Sequence, residues 1–129
     1  MTPRIIRLVR SSWLAARPTA PEVTESFYQQ LDGLDPELRR KFRGILHVLD
    51  VAVNQLGYLN SLKAVLRTMG ERHANQGVEP GHYAMVGCAL LLLLQQRLGS
   101  AFTDELREAW IEAYDCVVSE MAGEAMAAA

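Results

Sequence analysis

The stretch LKAVLRTMGERHANQGVEPGHYAMVG, residues 62–87, decides the fold class of this chain. Its first apolar residues recur three and four positions apart, which is the spacing of one face of an α-helix. His73 follows Met69 by four positions, so its imidazole lies on the same face one turn further along. Gly77 and Pro80 are typical residues after a helix end. We predict a helix, capped by Asn60 or Ser61, whose inward face carries Leu62, Val65, Leu66 and Met69.

The same spacing continues outward from this stretch in both directions, and no segment shows the sustained alternation of a β-strand. Prolines and small polar residues mark helix starts. On the N-terminal side we expect helices that begin at Thr2-Pro3, at Thr19 with Pro21 and a capping box to Glu22, at Asp35-Pro36-Glu37, and at Ile45 with an end at Leu56-Gly57. On the C-terminal side we expect a helix from about Gly81 to Leu98 and a last helix capped by Thr103. The fold class is therefore all-α.

Length and composition predict one domain over residues 1–129, with an Ala-rich tail from about residue 122 that frays. The chain is half apolar and has a formal net charge of −2, which excludes the basic footprint of nucleic-acid or anionic-membrane binding. The apolar run Met85 to Leu94 is shorter than the ~20 residues that span a bilayer. Cys88 and Cys116 lie in apolar helical stretches, which predicts buried free thiols and a cytoplasmic protein.

His73 is the main candidate for chemistry. A single imidazole on an apolar face is ordinarily a hydrogen-bonded core residue, and zinc requires several more ligands. Haem is the exception, because the porphyrin supplies four nitrogens and the protein adds one axial imidazole. Tyr28, next to the inward Phe27, is either a half-exposed tyrosine or a donor that points into the interior. No phosphate loop, nucleophile elbow or close carboxylate pair supports hydrolase chemistry.

Three blocks of the sequence resemble the globin domain of flavohaemoglobins and its single-domain bacterial relatives. They are SFYQQLDGLDPELRRKF (residues 26–42), the stretch of residues 62–87 quoted above, and LGSAFTDELREAWIEAY (residues 98–114). The resemblance extends from about Ile5 to Met121. It implies a globin fold around a b-type haem, without the reductase module of flavohaemoglobins.

The resemblance places His73 at the position of the proximal iron ligand and Tyr28 at that of the distal tyrosine. Phe42 matches the phenylalanine that packs on the haem, and Tyr83 matches a tyrosine of the proximal side. The second ring nitrogen of His73 should be held by a backbone carbonyl or a carboxylate. The nearest glutamates, Glu120 and Glu124, do not match the position of the family's glutamate. The predicted haem-binding set is His73, Phe42, Tyr28, Tyr83, Met69, Ile45 and Val78.

The chain departs from this family between Phe42 and Ile45. Only Arg43 and Gly44 remain where relatives carry about nine or ten more residues, including the distal glutamine. His47 falls about two positions too far along the helix to take its place, so whether it reaches the iron stays open. The short connection predicts a distal helix that starts beside the preceding short helix. It favours either an open distal pocket in a monomer or a homodimer that exchanges helices.

The resemblance implies reversible binding of oxygen and other diatomic gases, such as CO and NO, at iron held by His73. With an external reductase, the same site could carry out nitric oxide dioxygenation. The alternative from another class is a haem-free helical module that acts through protein contacts, which the shortened distal wall would favour.

Overall fold

The computed structural model describes residues 1–122, and these residues form seven α-helices with no β-strand among them. This confirms the all-α class. The predicted tail lies outside the described residues from position 123 onward. The helices are α1 (Pro3–Ala16), α2 (Pro21–Leu34), α3 (Leu38–Lys41), α4 (Ile45–Asn54), α5 (Leu59–Asn75), α6 (Pro80–Leu98) and α7 (Asp104–Ala122).

The core lies where α7 packs against α1 and α5, and where α6 packs against α1, α2 and α7. Trp110 of α7 is buried, its ring centroid lies 5.5 Å from that of Trp13 on α1, and its indole N–H donates to Ser12 Oγ at 2.8 Å. The Trp13 indole N–H donates to Asp50 Oδ1 at 2.8 Å. These paired indoles join α1 to both α7 and α4, because a buried indole N–H needs an acceptor.

Several predicted helix starts are confirmed by their caps. The Thr2 hydroxyl accepts from the Ile5 N–H at 3.2 Å, and the Thr103 hydroxyl accepts from the Leu106 N–H at 3.2 Å. Pro80 is the first residue of α6. In each case either a local side chain accepts from an unpaired N–H or a proline has no N–H to satisfy. The start can therefore be predicted from adjacent residues.

Three predicted caps are wrong. α3 begins at Leu38 with Glu37 as its N-cap, so Asp35 does not cap it and Pro36 is not its first residue. The N-cap of α2 is Ala20, not Thr19, and it has no side-chain cap hydrogen bond. Pro21 takes the first helical position and holds the preceding residue extended, so Thr19 lies one residue too early. α5 begins at Leu59, and the Ser61 hydroxyl donates to the Tyr58 carbonyl instead of capping the helix. α4 also ends at Asn54, and residues 56–58 form a separate 3-10 turn.

The inward face of α5 is narrower than predicted. Leu66 is buried and Leu62 and Met69 are partly buried, but Val65 is 56% exposed. Val65 lies about 100° around the helix from Leu66 and points away from it. α7 is the helix that packs most extensively on α5.

The connection from α3 to α4 consists of Phe42, Arg43 and Gly44, and only Arg43 and Gly44 separate Phe42 from α4. Gly44 has φ +78°, a left-handed conformation that glycine adopts without steric cost, and the Ile45 N–H donates to the Phe42 carbonyl at 3.0 Å. α4 therefore starts directly beside the end of α3, within one chain.

α5 and α7 approach each other closely at Gly70. A Cβ built on Gly70 would overlap the main-chain carbonyl of Met121. The absence of a side chain at this position lets the two helix backbones come into contact.

Cys88 is exposed and Cys116 is half-buried, so the prediction that both thiols are buried is wrong for Cys88. Both cysteines are free. Pro80–Ala101 is long and apolar enough to cross a membrane, with a mean hydropathy of 1.3 over its most apolar window, a third of which is buried in this fold. Within it, α6 packs against α1, α2 and α7.

Candidate functional site

The candidate site is built around His73, which lies in the last turn of α5 and is 8% exposed. The helix end is closed by the Val78 N–H, which donates to the His73 carbonyl at 2.9 Å, and by the Gly77 N–H, which donates to the Ala74 carbonyl at 3.0 Å. Gly77 has φ +84°. This glycine-terminated helix end holds the His73 backbone and leaves its side chain directed into the protein.

Three rings meet at this site. The ring centroid of Phe42 lies 4.9 Å from that of His73 and 5.3 Å from that of Tyr83, and Phe42 is completely buried. Tyr83 is also buried. The end of α3, the end of α5 and the first turns of α6 therefore come together around one imidazole.

His73 Nδ1 and the Tyr83 hydroxyl are hydrogen-bonded at 3.0 Å. The partner of the second ring nitrogen was predicted to be a backbone carbonyl or a carboxylate, and the structure shows a phenol instead. Glu120 pairs with Lys63 at 3.9 Å, and Glu124 lies outside the described residues. Tyr83 takes this position because it lies on α6, and the loop after α5 brings the start of α6 back beside His73.

Tyr83 is itself held from α7, by a residue that the sequence reasoning missed. The Tyr114 hydroxyl donates to the Tyr83 carbonyl at 2.7 Å. A Cβ on Gly87 would lie 2.8 Å from Tyr114 Cε2, so the glycine makes room for this ring. The spacing of Gly87 four residues after Tyr83 is the signal in the sequence, because it leaves one side of α6 open next to the tyrosine.

Burial shifts the titration of the groups at this site. Burial lowers the pKa of the His73 imidazole below its ordinary value of 6.5. Burial raises the pKa of the Tyr83 phenol to about 12 and raises that of Tyr114 still further. At neutral pH all three side chains are therefore uncharged, which suits an imidazole that gives a lone pair to a metal.

The lowered pKa of His73 predicts that acid destabilises the haem-free fold. The unfolded chain takes up a proton at His73 as the pH falls below about 6.5, whereas the folded chain does so only at lower pH. The contribution of neutral His73 to the free energy of unfolding is therefore fully present above pH 6.5. It is lost between that pH and the pKa of His73 in the folded chain, with a slope of at most about 1.4 kcal/mol per pH unit. Urea unfolding from pH 7.5 to 5 should show a shallower loss in His73→Asn than in the wild type. Equal pH slopes would mean that His73 titrates normally in the fold.

The other predicted haem-binding residues fall into two groups. Ile45 is buried, Met69 and Val78 are partly buried, and each belongs to the same hydrophobic core cluster as Phe42 or packs against it. Tyr28 and His47 instead line a separate cleft of about 550 Å³ with Arg39, Arg43 and Gly44. His73 does not line this cleft, so the structure does not bring Tyr28 and His73 into one cavity.

Tyr28 and His47 lie at the protein surface on the α2 and α4 side. Tyr28 is half-buried, its ring packs edge-on against Phe27 at 5.4 Å, and the Arg39 guanidinium lies 5.6 Å from the ring centroid. His47 is exposed. Tyr28 and His47 therefore share a cleft beside α4, while the space next to His73 is filled by the rings of Phe42 and Tyr83.

These features define a class: an all-α protein with one buried, neutral imidazole on a helix end and no cluster of three metal-ligating side chains among residues 1–122. Comparison with known proteins identifies the family. The globin family model matches residues 19–121. Neuroglobin from Tetraodon nigroviridis is 42% identical, and neuroglobin from Danio rerio 40% identical, each over 86 residues that cover 67% of this chain and 54% of the relative. A solved structure, the closed form of the HGbRL's globin domain, is 28% identical, covers 99% of both chains and superimposes with a TM-score of 0.47.

The chain belongs to the globin family. The prediction of a globin is confirmed at this level, but the relatives that match here are vertebrate neuroglobins, so the narrower resemblance to bacterial flavohaemoglobins is not what these matches show. The chain spans about half the length of the curated relatives it matches.

Globins usually bind haem. His73 fits that group as a single nitrogen donor. The site offers one neutral imidazole with Nδ1 engaged by Tyr83, and Nε2 makes no hydrogen bond within the described part of the chain. The neighbouring side chains are aromatic or aliphatic. A flat ring held between two groups needs about 7 Å between them, so haem does not lie between the Phe42 and His73 rings at their present 4.9 Å separation.

Proposed function

We propose that this chain is a b-type haem protein that reversibly binds oxygen and other diatomic gases, including CO and NO, with His73 as the protein ligand to the iron. The hydrogen bond between His73 Nδ1 and Tyr83 carries this proposal. When Nδ1 is protonated and donates a hydrogen bond to the Tyr83 oxygen, the lone pair of Nε2 is free for a metal. Haem, when bound, supplies the iron at which a gas molecule binds.

The side chains of this site have distinct parts in that function. Tyr83 sets the tautomer and the orientation of the His73 ring, and Tyr114 holds Tyr83 through its carbonyl. Phe42, Ile45, Met69 and Val78 would supply apolar surface to haem when it is bound. Phe42 and Tyr83 pack against the imidazole and keep it from water.

The choice of a phenol as the partner of His73 bears on the reaction type. A carboxylate partner raises the basicity of a ligating imidazole, and a neutral hydroxyl raises it less. With a pKa of about 12, Tyr83 stays protonated at physiological pH. This arrangement favours reversible gas binding over peroxidase-like chemistry. Nitric oxide dioxygenation with an external reductase stays a prediction.

The test is a haem titration of the purified protein, followed by visible spectra in the ferric, ferrous and CO-bound forms. We expect saturation at one haem per chain and a Soret band that sharpens and shifts when CO is added to the ferrous form. A spectrum identical to that of free haem at every protein concentration would refute the proposal.

From the resemblance to the family's distal tyrosine, Tyr28 is proposed to donate a hydrogen bond to bound oxygen. Because Tyr28 and His73 line different cavities in this structure, this role requires the cleft of Tyr28 to open towards His73 when haem binds. The Tyr28 hydroxyl makes no hydrogen bond to a described residue and is available. Tyr28→Phe should speed oxygen release about tenfold or more, because a hydrogen bond to a partly charged ligand is worth about 1.5–3 kcal/mol. Stopped-flow measurement of oxygen and CO release checks this.

CO is the internal control for Tyr28, because bound CO is less polar than bound oxygen and should respond less to the loss of the hydroxyl. His47→Leu tests the other polar side chain of the same cleft. Unchanged oxygen release in Tyr28→Phe would show that the hydroxyl does not face the ligand. A large change in His47→Leu alone would assign the role to His47.

The second candidate function is a haem-free globin-like module that acts through protein contacts. The close packing of Phe42 against His73 favours it, because the phenyl ring fills the space beside the imidazole. The haem titration separates the two functions, since a haem-free module shows no specific Soret band. Oligomeric state and the cytoplasmic location stay predictions.

A further inference from the structure

α1 carries a basic face that the haem site does not use. Arg7 and Arg10 lie on this helix, and Arg17 is its C-cap. On the helix, Arg7, Arg10 and Leu14 fall within an arc of about 60°, from the 100° turn per residue. Arg17 takes a left-handed conformation, φ +50° and ψ +54°, and lines the same cleft as the other three. We name this cleft, of about 570 Å³ between α1, the connection that follows it and α4, the arginine cleft.

The positive charge of the arginine cleft is not neutralised within the described part of the chain. Arg7, Arg10 and Arg17 form no ion pair with any described residue, in contrast to Arg4, which pairs with Glu105. Asp50 is the acidic residue of the cleft, and its Oδ1 accepts from the Trp13 indole. The cleft is therefore cationic on a chain whose formal net charge is −2.

Leu14 lies in the middle of these arginines and is 80% exposed. Arginine is enriched at protein interfaces, and an exposed apolar side chain among arginines offers a partner both charge pairing and apolar contact. Within α1, all of which the structure describes, Leu14 is the one large apolar side chain that is exposed. A helix that binds a bilayer surface needs a broad apolar face, and the apolar face of α1 is buried through Val9, Trp13 and Ala16.

We propose that the arginine cleft binds an acidic protein segment: a carboxylate-rich stretch of a partner with an apolar side chain that packs on Leu14. Guanidinium groups pair with carboxylates through two parallel hydrogen bonds. The concave shape accepts a peptide chain and is unsuited to a flat lipid surface. This proposal stands on α1 and is independent of haem binding.

The probe for this proposal is a labelled synthetic peptide of about a dozen aspartates and glutamates with one central phenylalanine, followed by fluorescence anisotropy. We expect saturable binding that weakens as NaCl is raised, because screening shortens the reach of exposed charges. The triple variant Arg7→Gln, Arg10→Gln and Arg17→Gln should bind about tenfold more weakly, from three exposed ion pairs lost. Leu14→Ala should weaken binding with little change in its salt dependence.

The matched control removes the same charge elsewhere, with Gln at Arg67, Arg72 and Arg107, which are exposed and unpaired with any described residue. This control should bind within about twofold of the wild type, as expected for charges outside the contact. Equal losses in the two triple variants would show a general charge effect and overturn the proposal, as would the absence of peptide binding. Tighter binding to vesicles of phosphatidylcholine and phosphatidylserine than to the peptide would assign the cleft to a membrane instead. Circular dichroism of each variant confirms that it is folded.

Discussion

His73→Ala should bind haem more than about a hundredfold more weakly than the wild type, a larger effect than the ten- to hundredfold loss typical when only a ligand's hydrogen-bond partner is removed. The reason is that His73 is the one buried imidazole in the described chain, and its neighbours Phe42 and Tyr83 offer the iron no comparable neutral nitrogen. Haem titration with ferric, ferrous and ferrous-CO spectra measures the effect. Free imidazole added to the variant should restore part of the wild-type spectrum, which a merely structural role of His73 would not produce.

The matched control is His47→Ala, which removes an exposed imidazole from α4 and should leave haem affinity unchanged. If His73→Ala, still folded by circular dichroism, kept the wild-type Soret band and ferrous-CO spectrum, His73 would not be the ligand. If His47→Ala lost them instead, the iron would be held from the α4 side.

Gly70→Ala should lower the free energy of unfolding by about 3 kcal/mol or more, at the upper end of the cost of overpacking a core. The added Cβ would overlap the Met121 carbonyl, which belongs to a helix backbone and cannot rotate away as a side chain can. α5 and α7 would have to separate, and α5 carries His73. Urea unfolding followed by circular dichroism measures the loss, and the melting temperature should fall by about 10 °C.

Gly33→Ala is the matched control for the Gly70 prediction. Gly33 lies in α2, and a Cβ built there meets no atom within 4 Å. Alanine should therefore stabilise the protein by about 0.4–1 kcal/mol, because it restricts the unfolded chain and costs nothing in the helix. Similar stability changes in the two variants would contradict the close approach of α5 and α7.

The sequence predicts where His73 lies but not which side chain it meets. The position of His73 on a buried helix face follows from its spacing to Met69, and the structure buries it. Its partner could not be predicted from the residues near it, because Tyr83 lies on the next helix and reaches His73 only when α6 folds back against α5. The prediction of a carbonyl or carboxylate partner was wrong for that reason. Tyr28 matches the distal tyrosine of the family that the sequence resembles, yet the structure places it in a cleft that His73 does not line.

What the sequence by itself determined is local. Thr2 and Thr103 set helix starts, Gly44 permits the short turn into α4, and the spacing of apolar residues selects an all-α chain, because each of these effects acts within one or two helical turns. The tertiary structure alone decided which side chains meet. It exposed Val65 while burying Leu66, and it brought Phe42 and Tyr83 against His73. Such contacts depend on which face of one helix packs against which other helix, and close packing of distant segments settles that choice.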